Sequence, residues 1–222
     1  MLKSIDGDFD ETKLDLKGEK RELFCLDIMD GRCTPSGFDC FVGTTDGRMC
    51  YLAKGWLSNT LELIHNVPDE GPVTQVIFKH GLIAWSTPKK IRVTHFKKNR
   101  QKICMIEKPD CNLAFARDLA VQSQAIPSIQ IMAQMPAGNA QYPNVFVYIS
   151  WFHTLKKVKV EMDEKSGKFV ATTIYTHDMG KIYLSGLNVA MLQNCFVTCE
   201  FDHSNDTDKN FRETTAFPNL CI

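Results

Sequence analysis

The stretch Gly71–Glu107, GPVTQVIFKHGLIAWSTPKKIRVTHFKKNRQKICMIE, decides the fold. Pro72 to Phe78 is apolar and β-branched, and Lys79-His80-Gly81 turns the chain. Leu82 to Ser86 is an unbroken apolar run, the pattern of a strand covered on both faces. Thr87-Pro88-Lys89 turns the chain again, and Ile91, Val93 and His95 then alternate with Arg92, Thr94 and Phe96. After a polar turn over Lys97 to Arg100, Lys102 to Glu107 reads as a further strand. Short antiparallel strands in immediate succession, joined by tight turns, make one blade of a β-propeller.

A similar unit precedes it. Glu22 to Ile28 begins the unit and Asp30-Gly31 closes that strand; Phe38 to Thr45, the hairpin dipeptide Asp46-Gly47, Arg48 to Ala53 and Leu61 to His65 follow. Met49 aligns with Ile91 and Tyr51 with Val93, and both offsets (91 − 49 and 93 − 51) equal 42. A constant offset within the roughly 40–45-residue WD-type period marks an internal repeat. The Trp-Asp ending and the Gly-His opening of that repeat are missing, so the pattern is degenerate. Beyond Glu107, Lys108 to Gln141 reads as a long inter-strand loop with one degenerate strand around Leu113 to Val121. The alternative, an amphipathic membrane-contacting segment, is weakened by Pro109, Pro127 and Pro136 and by the scarcity of Lys and Arg. Strand patterns resume at Val145–Trp151, Lys156–Glu161 and Phe169–Tyr175, with Glu164-Lys165-Ser166-Gly167 as a turn. Lys157, Lys159 and Glu161 alternate with Lys156, Val158 and Val160, so only part of one face there is apolar. Lys181–Leu187 and Cys195–Phe201 open a further blade, and the chain turns polar from His203.

These units predict an all-β chain: a partial, open or truncated WD40-like propeller of about three to four blades. It occupies residues 21–202, with a polar lead-in over 1–20, a long loop at about 108–144 and a polar tail over 203–222. An open arc leaves strand edges unpaired, so the chain on its own is expected to self-associate.

Five segments in order carry a family resemblance: Gly55-Trp56-Leu57-Ser58-Asn59, Glu70-Gly71-Pro72-Val73, Gly81-Leu82-Ile83-Ala84-Trp85, Ile149-Ser150-Trp151 and Tyr183-Leu184-Ser185-Gly186-Leu187. They resemble S-W-M-N, E-G-x-V, G-H-L-I-A-W, I-G-W and Y-I-S-G-L of the vacuolar protein sorting-associated protein 41 family, in its N-terminal WD-type propeller. The resemblance runs from about Phe41 to Phe201. It implies a non-enzymatic scaffold in a HOPS tethering complex, with other HOPS subunits and a late-endosomal Rab-type GTPase as partners. It also implies a cytoplasmic protein, peripheral on late endosome, lysosome or vacuole membranes. The family's helical solenoid and RING-like zinc region have no counterpart in this sequence, so activities residing there are not implied. The matching motifs are core strands, so the resemblance assigns no catalytic, cofactor-binding or metal-binding residue. Two other readings stay open. One is a propeller-type enzyme such as a hydrolase, which needs convergent polar groups or a metal at the central channel. The other is a truncated paralogue that acts only with a partner.

Composition narrows the classes further. Of 222 residues, 44% are hydrophobic and 23% charged, which fits a globular core and argues against disorder. Lys+Arg 26 balances Asp+Glu 26, which disfavours a general nucleic-acid binder. The nine cysteines are odd in number and contain no C-x-x-C pair, which points to reduced thiols. The N-terminus, MLKSIDGDFDETK, lacks the apolar core of a signal peptide.

Candidate sites each have a plainer explanation. Cys195-x-x-x-Cys199 could join His177 or His203 as zinc ligands, but the spacing lies inside an apolar strand and structural zinc uses tighter knuckles. Core thiols are the better reading. Lys97-Lys98-Asn99-Arg100 with Lys102 could meet phosphate or an acidic partner, or could be a solvated hairpin turn. Trp56, Trp85 and Trp151 read as blade-core residues. The sequence holds no nucleophile elbow, no H-E-x-x-H and no glycine-rich phosphate loop.

Overall fold

The computed structural model describes residues 23–34, 37–54, 59–97, 100–110, 126–134, 144–163, 165–178, 183–190, 195–201 and 211–215. The stretch quoted first forms β5 (Gln75–Lys79), β6 (Leu82–Ser86), β7 (Lys90–His95) and β8 (Lys102–Glu107), which pair antiparallel in sequence order. Lys79 pairs with Leu82 across a two-residue turn in which His80 and Gly81 have φ of 53° and 77°. Two successive positive φ values make a type I′ turn, whose twist matches that of the strands it joins. Every residue of β6 is buried, because neighbouring sheets cover both of its faces. That accounts for the apolar run Leu82–Trp85.

The preceding unit forms a second sheet of β1 (Leu23–Thr34), β2 (Gly37–Thr44), β3 (Arg48–Lys54) and β4 (Asn59–Asn66), again in sequence order. The 42-residue repeat is structural. Met49 and Ile91 lie on the third strands and Phe41 and Ile83 on the second, and all four side chains are fully buried. A third sheet holds β9 (Ser128–Gln134), β10 (Asn144–Trp151), β11 (Thr154–Asp163) and β12 (Lys168–Asp178). A fourth holds β13 (Tyr183–Ala190), β14 (Cys195–Phe201) and β15 (Phe211–Thr215). The first strands of successive sheets lie side by side, β1 with β5, β5 with β9 and β9 with β13. Stacked antiparallel sheets meeting along their first strands are propeller blades, and the chain is a partial β-propeller.

Two strands fall where none was expected. β9 lies inside the connection read as a loop over about 108–144, and β15 inside the polar stretch over 203–222. In β9 the pattern is period-two, with Ile129 and Ile131 buried, but Pro127 and the surrounding Ala and Gln obscure it in the sequence. The degenerate strand suggested at Leu113–Val121 falls outside the described residues.

Different chemistry joins successive blades. Between the first and second blades the core is aromatic: the Phe41 ring stacks on Phe78 at 5.3 Å, and the Phe96 ring meets Phe41 edge-on at 5.3 Å. Between the second and third it is mainly aliphatic, with Leu82, Ile91 and Val93 packed on Ile129, Val147 and Ile149 and with Trp151 and Phe152 in the same cluster. Side chains also bridge the backbones of adjacent blades. The Phe78 N–H donates to the Asp27 carboxylate at 2.6 Å. The Gln75 amide accepts from the Ile129 N–H at 2.9 Å and donates to the Ile129 carbonyl at 3.4 Å. Gln101 does the same for Phe169, at 3.1 and 2.9 Å. A glutamine amide presents the same donor–acceptor pair as a peptide group, so each one stands in for a neighbouring strand where two blades do not pair.

Close approach of the first two blades requires Gly43. A Cβ there would sit 2.5 Å from Cys25 Sγ and 2.6 Å from Val73 Cγ1. Gly43→Ala is therefore expected to destabilise the chain by about 1–3 kcal/mol through overpacking. The check is the chemical-denaturation midpoint, and an unchanged value would mean that the two sheets stand further apart.

Candidate interaction site

The residues of the Glu70-Gly71-Pro72-Val73 and Gly81–Trp85 segments converge where the first blade meets the second. A short 3-10 turn over Pro68–Glu70 follows β4, and Gly71 leaves it with φ 84°. The turn aims the Glu70 side chain inward, where both carboxylate oxygens accept hydrogen bonds from the Arg92 guanidinium of β7. His65 of β4 lies alongside, its Nε2 3.7 Å from Glu70 Oε2 and its ring 5.6 Å from the buried Trp85 ring. The hydrogen bonds from Arg92 hold the Glu70 carboxyl below its usual range, against the opposing effect of burial. Burial, helped by Arg92, pushes the His65 imidazole below its usual value, so at neutral pH it is uncharged. A carboxylate already held by a bidentate guanidinium is poorly suited to proton transfer. The cluster fixes the junction of two blades.

The sites considered from the sequence are dispersed. Within the basic cluster, Arg100 forms an ion pair with Glu62 of β4, whereas Lys97 and Lys102 are exposed; Lys98 and Asn99 lie outside the described residues. Trp85 and Trp151 are buried to 3% and 2% exposure, as blade-core residues should be, while Trp56 lies outside the described residues. Cys195 and Cys199 begin and extend β14, His177 is exposed near the end of β12, and His203 lies outside the described residues. Among the described residues no group of three His, Cys, Asp or Glu is placed to hold a metal ion. No described helix is long and apolar enough to cross a membrane.

Burial pushes the thiols of Cys25 and Cys40 up to about 12 and that of Cys104 up to about 11. The thiolate is the reactive form, so these three should resist alkylation by iodoacetamide at pH 8 until the chain unfolds. Peptide mass spectrometry after a timed pulse is the check. Fast native labelling at Cys40 would show that its strand is not packed as described.

One surface is absent from the sequence reading. The third blade turns an apolar face toward the second blade, but its other face carries Tyr148, Lys157 and Tyr175 in one row, directly paired across β10, β11 and β12. Lys157 is 9% exposed, with Nζ 4.6 Å from the Phe146 ring centroid and 5.3 Å from that of Tyr148. Burial lowers the affinity of this amine for its proton. Ser150, two residue pairs along on the same face, has a buried hydroxyl with no hydrogen-bond partner among the described residues. Alternation in the sequence put Lys157 and Lys159 on one strand face, but only the sheet register shows that Lys157 is walled by aromatic rings.

No protein-family model matches the chain, and no curated protein does. Among solved structures it is similar to a candidate 6-phosphogluconolactonase from Bacteroides uniformis, at 11% identity and a TM-score of 0.46 over 86% of this chain and 55% of that one. The Pan2 WD40 domain of Neurospora crassa shares 13% identity and a TM-score of 0.37, over 89% of this chain and 57% of that one. The β-propeller domain of Nup133 from Vanderwaltozyma polyspora shares 10% and 0.40, over 88% and 56%. The chain thus spans a little over half the length of each of these structures.

Proposed function

We propose that this chain is a propeller-type protein-interaction scaffold, resembling the propeller of a HOPS tethering subunit, that works in vesicle trafficking at late endosomes and lysosomes or vacuoles. The supporting observation is where the resembling segments lie. Glu70 and Gly71 form the inward turn between two blades, and Leu82–Trp85 forms the buried strand beside it. Ile149, Ser150 and Trp151 are likewise buried on β10. The resembling residues among those described are thus ones that build the blades. In such a scaffold rigid blades present loops and outer strands to partners, and binding needs no convergent reactive groups. The partners under this proposal are other HOPS subunits and a late-endosomal Rab-type GTPase, with the chain held peripherally at the membrane through them.

The test is affinity capture of the full chain from cell extract, with mass spectrometry of what accompanies it. Stoichiometric HOPS subunits are the expected result. Their absence, together with hydrolysis of a substrate by the purified chain, would replace this reading with a propeller enzyme.

A further inference from the structure

We propose that the outer half of the third blade's face turned away from the second blade binds an extended acidic segment of a partner polypeptide, with Lys157 as the receptor for one of its carboxylates. Two lysines on the same strand face carry the argument by contrast. Lys159 Nζ is 2.5 Å from Glu161 Oε2, and both groups keep contact with water. Lys157, two residues away, is nine-tenths buried and has no carboxylate within ion-pair distance among the described residues. Its neighbours are the Phe146 and Tyr148 rings, whose π faces offset only part of the loss of hydration.

A buried cation without an anion is a liability to folding, and so is the Ser150 hydroxyl left without a partner on the same face. A carboxylate approaching Lys157 from the β11–β12 side would supply the ammonium with the anion it lacks. β13 lies against β9 and β10, the inner half of this face, so β11 and β12 form the part a partner can reach. Along that outer half, Val170 and Ile174 are exposed to 44% and 42%. Ile174 is the extra residue where the β11–β12 register shifts, opposite Lys157 and Val158. Exposed apolar side chains flanking a buried cation match a chain in extended conformation, which alternates acidic and apolar residues between its two faces.

The proposal uses the scaffold reading only in taking the ligand to be a polypeptide. Its test is separate from capture of tethering subunits. The probe is a blocked, fluorescent octapeptide of alternating Glu and Val, with a Gln-for-Glu version as control, titrated into the full chain by fluorescence anisotropy. The Glu peptide should bind at least tenfold more tightly than the Gln peptide, with affinity falling as salt rises. Lys157→Met should abolish that difference. It should also leave the denaturation midpoint of the unliganded chain unchanged or raised, since it removes an uncompensated buried charge. Equal binding of the two peptides would overturn the proposal, as would retained Glu preference in the variant. A lowered midpoint for Lys157→Met would assign the lysine to structure instead of binding.

Discussion

Trp85→Ala is expected to lower the unfolding free energy by about 3–5 kcal/mol, the range for removing a buried aromatic side chain. The indole sits on β6 at 3% exposure, packed in the cluster of Phe41, Met49, Val76 and Ile83 and against the His65 ring. Truncation would open a cavity between two blades that cannot readily collapse, since the Val73 side chain already packs tightly on Gly43. No acceptor among the described residues meets the indole N–H. Trp85→Phe, which keeps an aromatic ring and removes that unpaired donor, should therefore cost less than half as much. Urea denaturation followed by circular dichroism measures both. A Trp85→Ala midpoint matching the parent chain would mean that β6 is not the buried centre of its sheet.

The second large effect is expected at Glu70. Glu70→Ala leaves the Arg92 guanidinium facing the interior without its carboxylate, and breaking a buried pair in this way is strongly destabilising. Arg92 keeps 19% of its side-chain surface exposed, so the loss should lie at the lower end of the range, about 3 kcal/mol. Glu70→Gln preserves a hydrogen-bond acceptor without the charge and should fall between the two.

The same cluster gives stability a pH dependence with a defined sign. His65 has a folded-state pKa below its unfolded value of 6.5, so the unfolded chain takes up the proton first as pH falls. The stability that neutral His65 contributes is fully present above pH 6.5 and is lost as pH drops through the lower folded-state value. Glu70, also lowered, contributes above its unfolded value of 4.5 and loses that contribution at more acidic pH still. Midpoints measured between pH 7.5 and 5 should fall for the parent chain (a range chosen to span the His65 transition). They should fall less for His65→Gln. Parallel curves for the two proteins would remove His65 as the source.

Local pattern by itself determined most of the blades. The β6 strand was visible from the apolar run Leu82–Trp85, because burial on both faces favours apolar side chains, and the buried Ser86 that ends it meets the Thr74 hydroxyl. The hairpin at His80-Gly81 was visible because consecutive positive φ angles select glycine. The 42-residue offset was visible because equivalent positions on β3 and β7 meet the same packing demands. The β9 strand was not, since its short alternation lies among Ala, Gln and Pro, and its pairing with β10 is what holds it extended. Only the tertiary structure decided which polar residues join blades. Gln75 and Gln101 look like ordinary surface glutamines until each amide is seen bonded to the backbone of the next sheet. Glu70 and Arg92 are 22 residues apart, and Lys157 became notable only when register set it between two tyrosines. A strand's alternation states which face a side chain takes, but the groups it meets there come from other strands, whose register is fixed only when the blades stack.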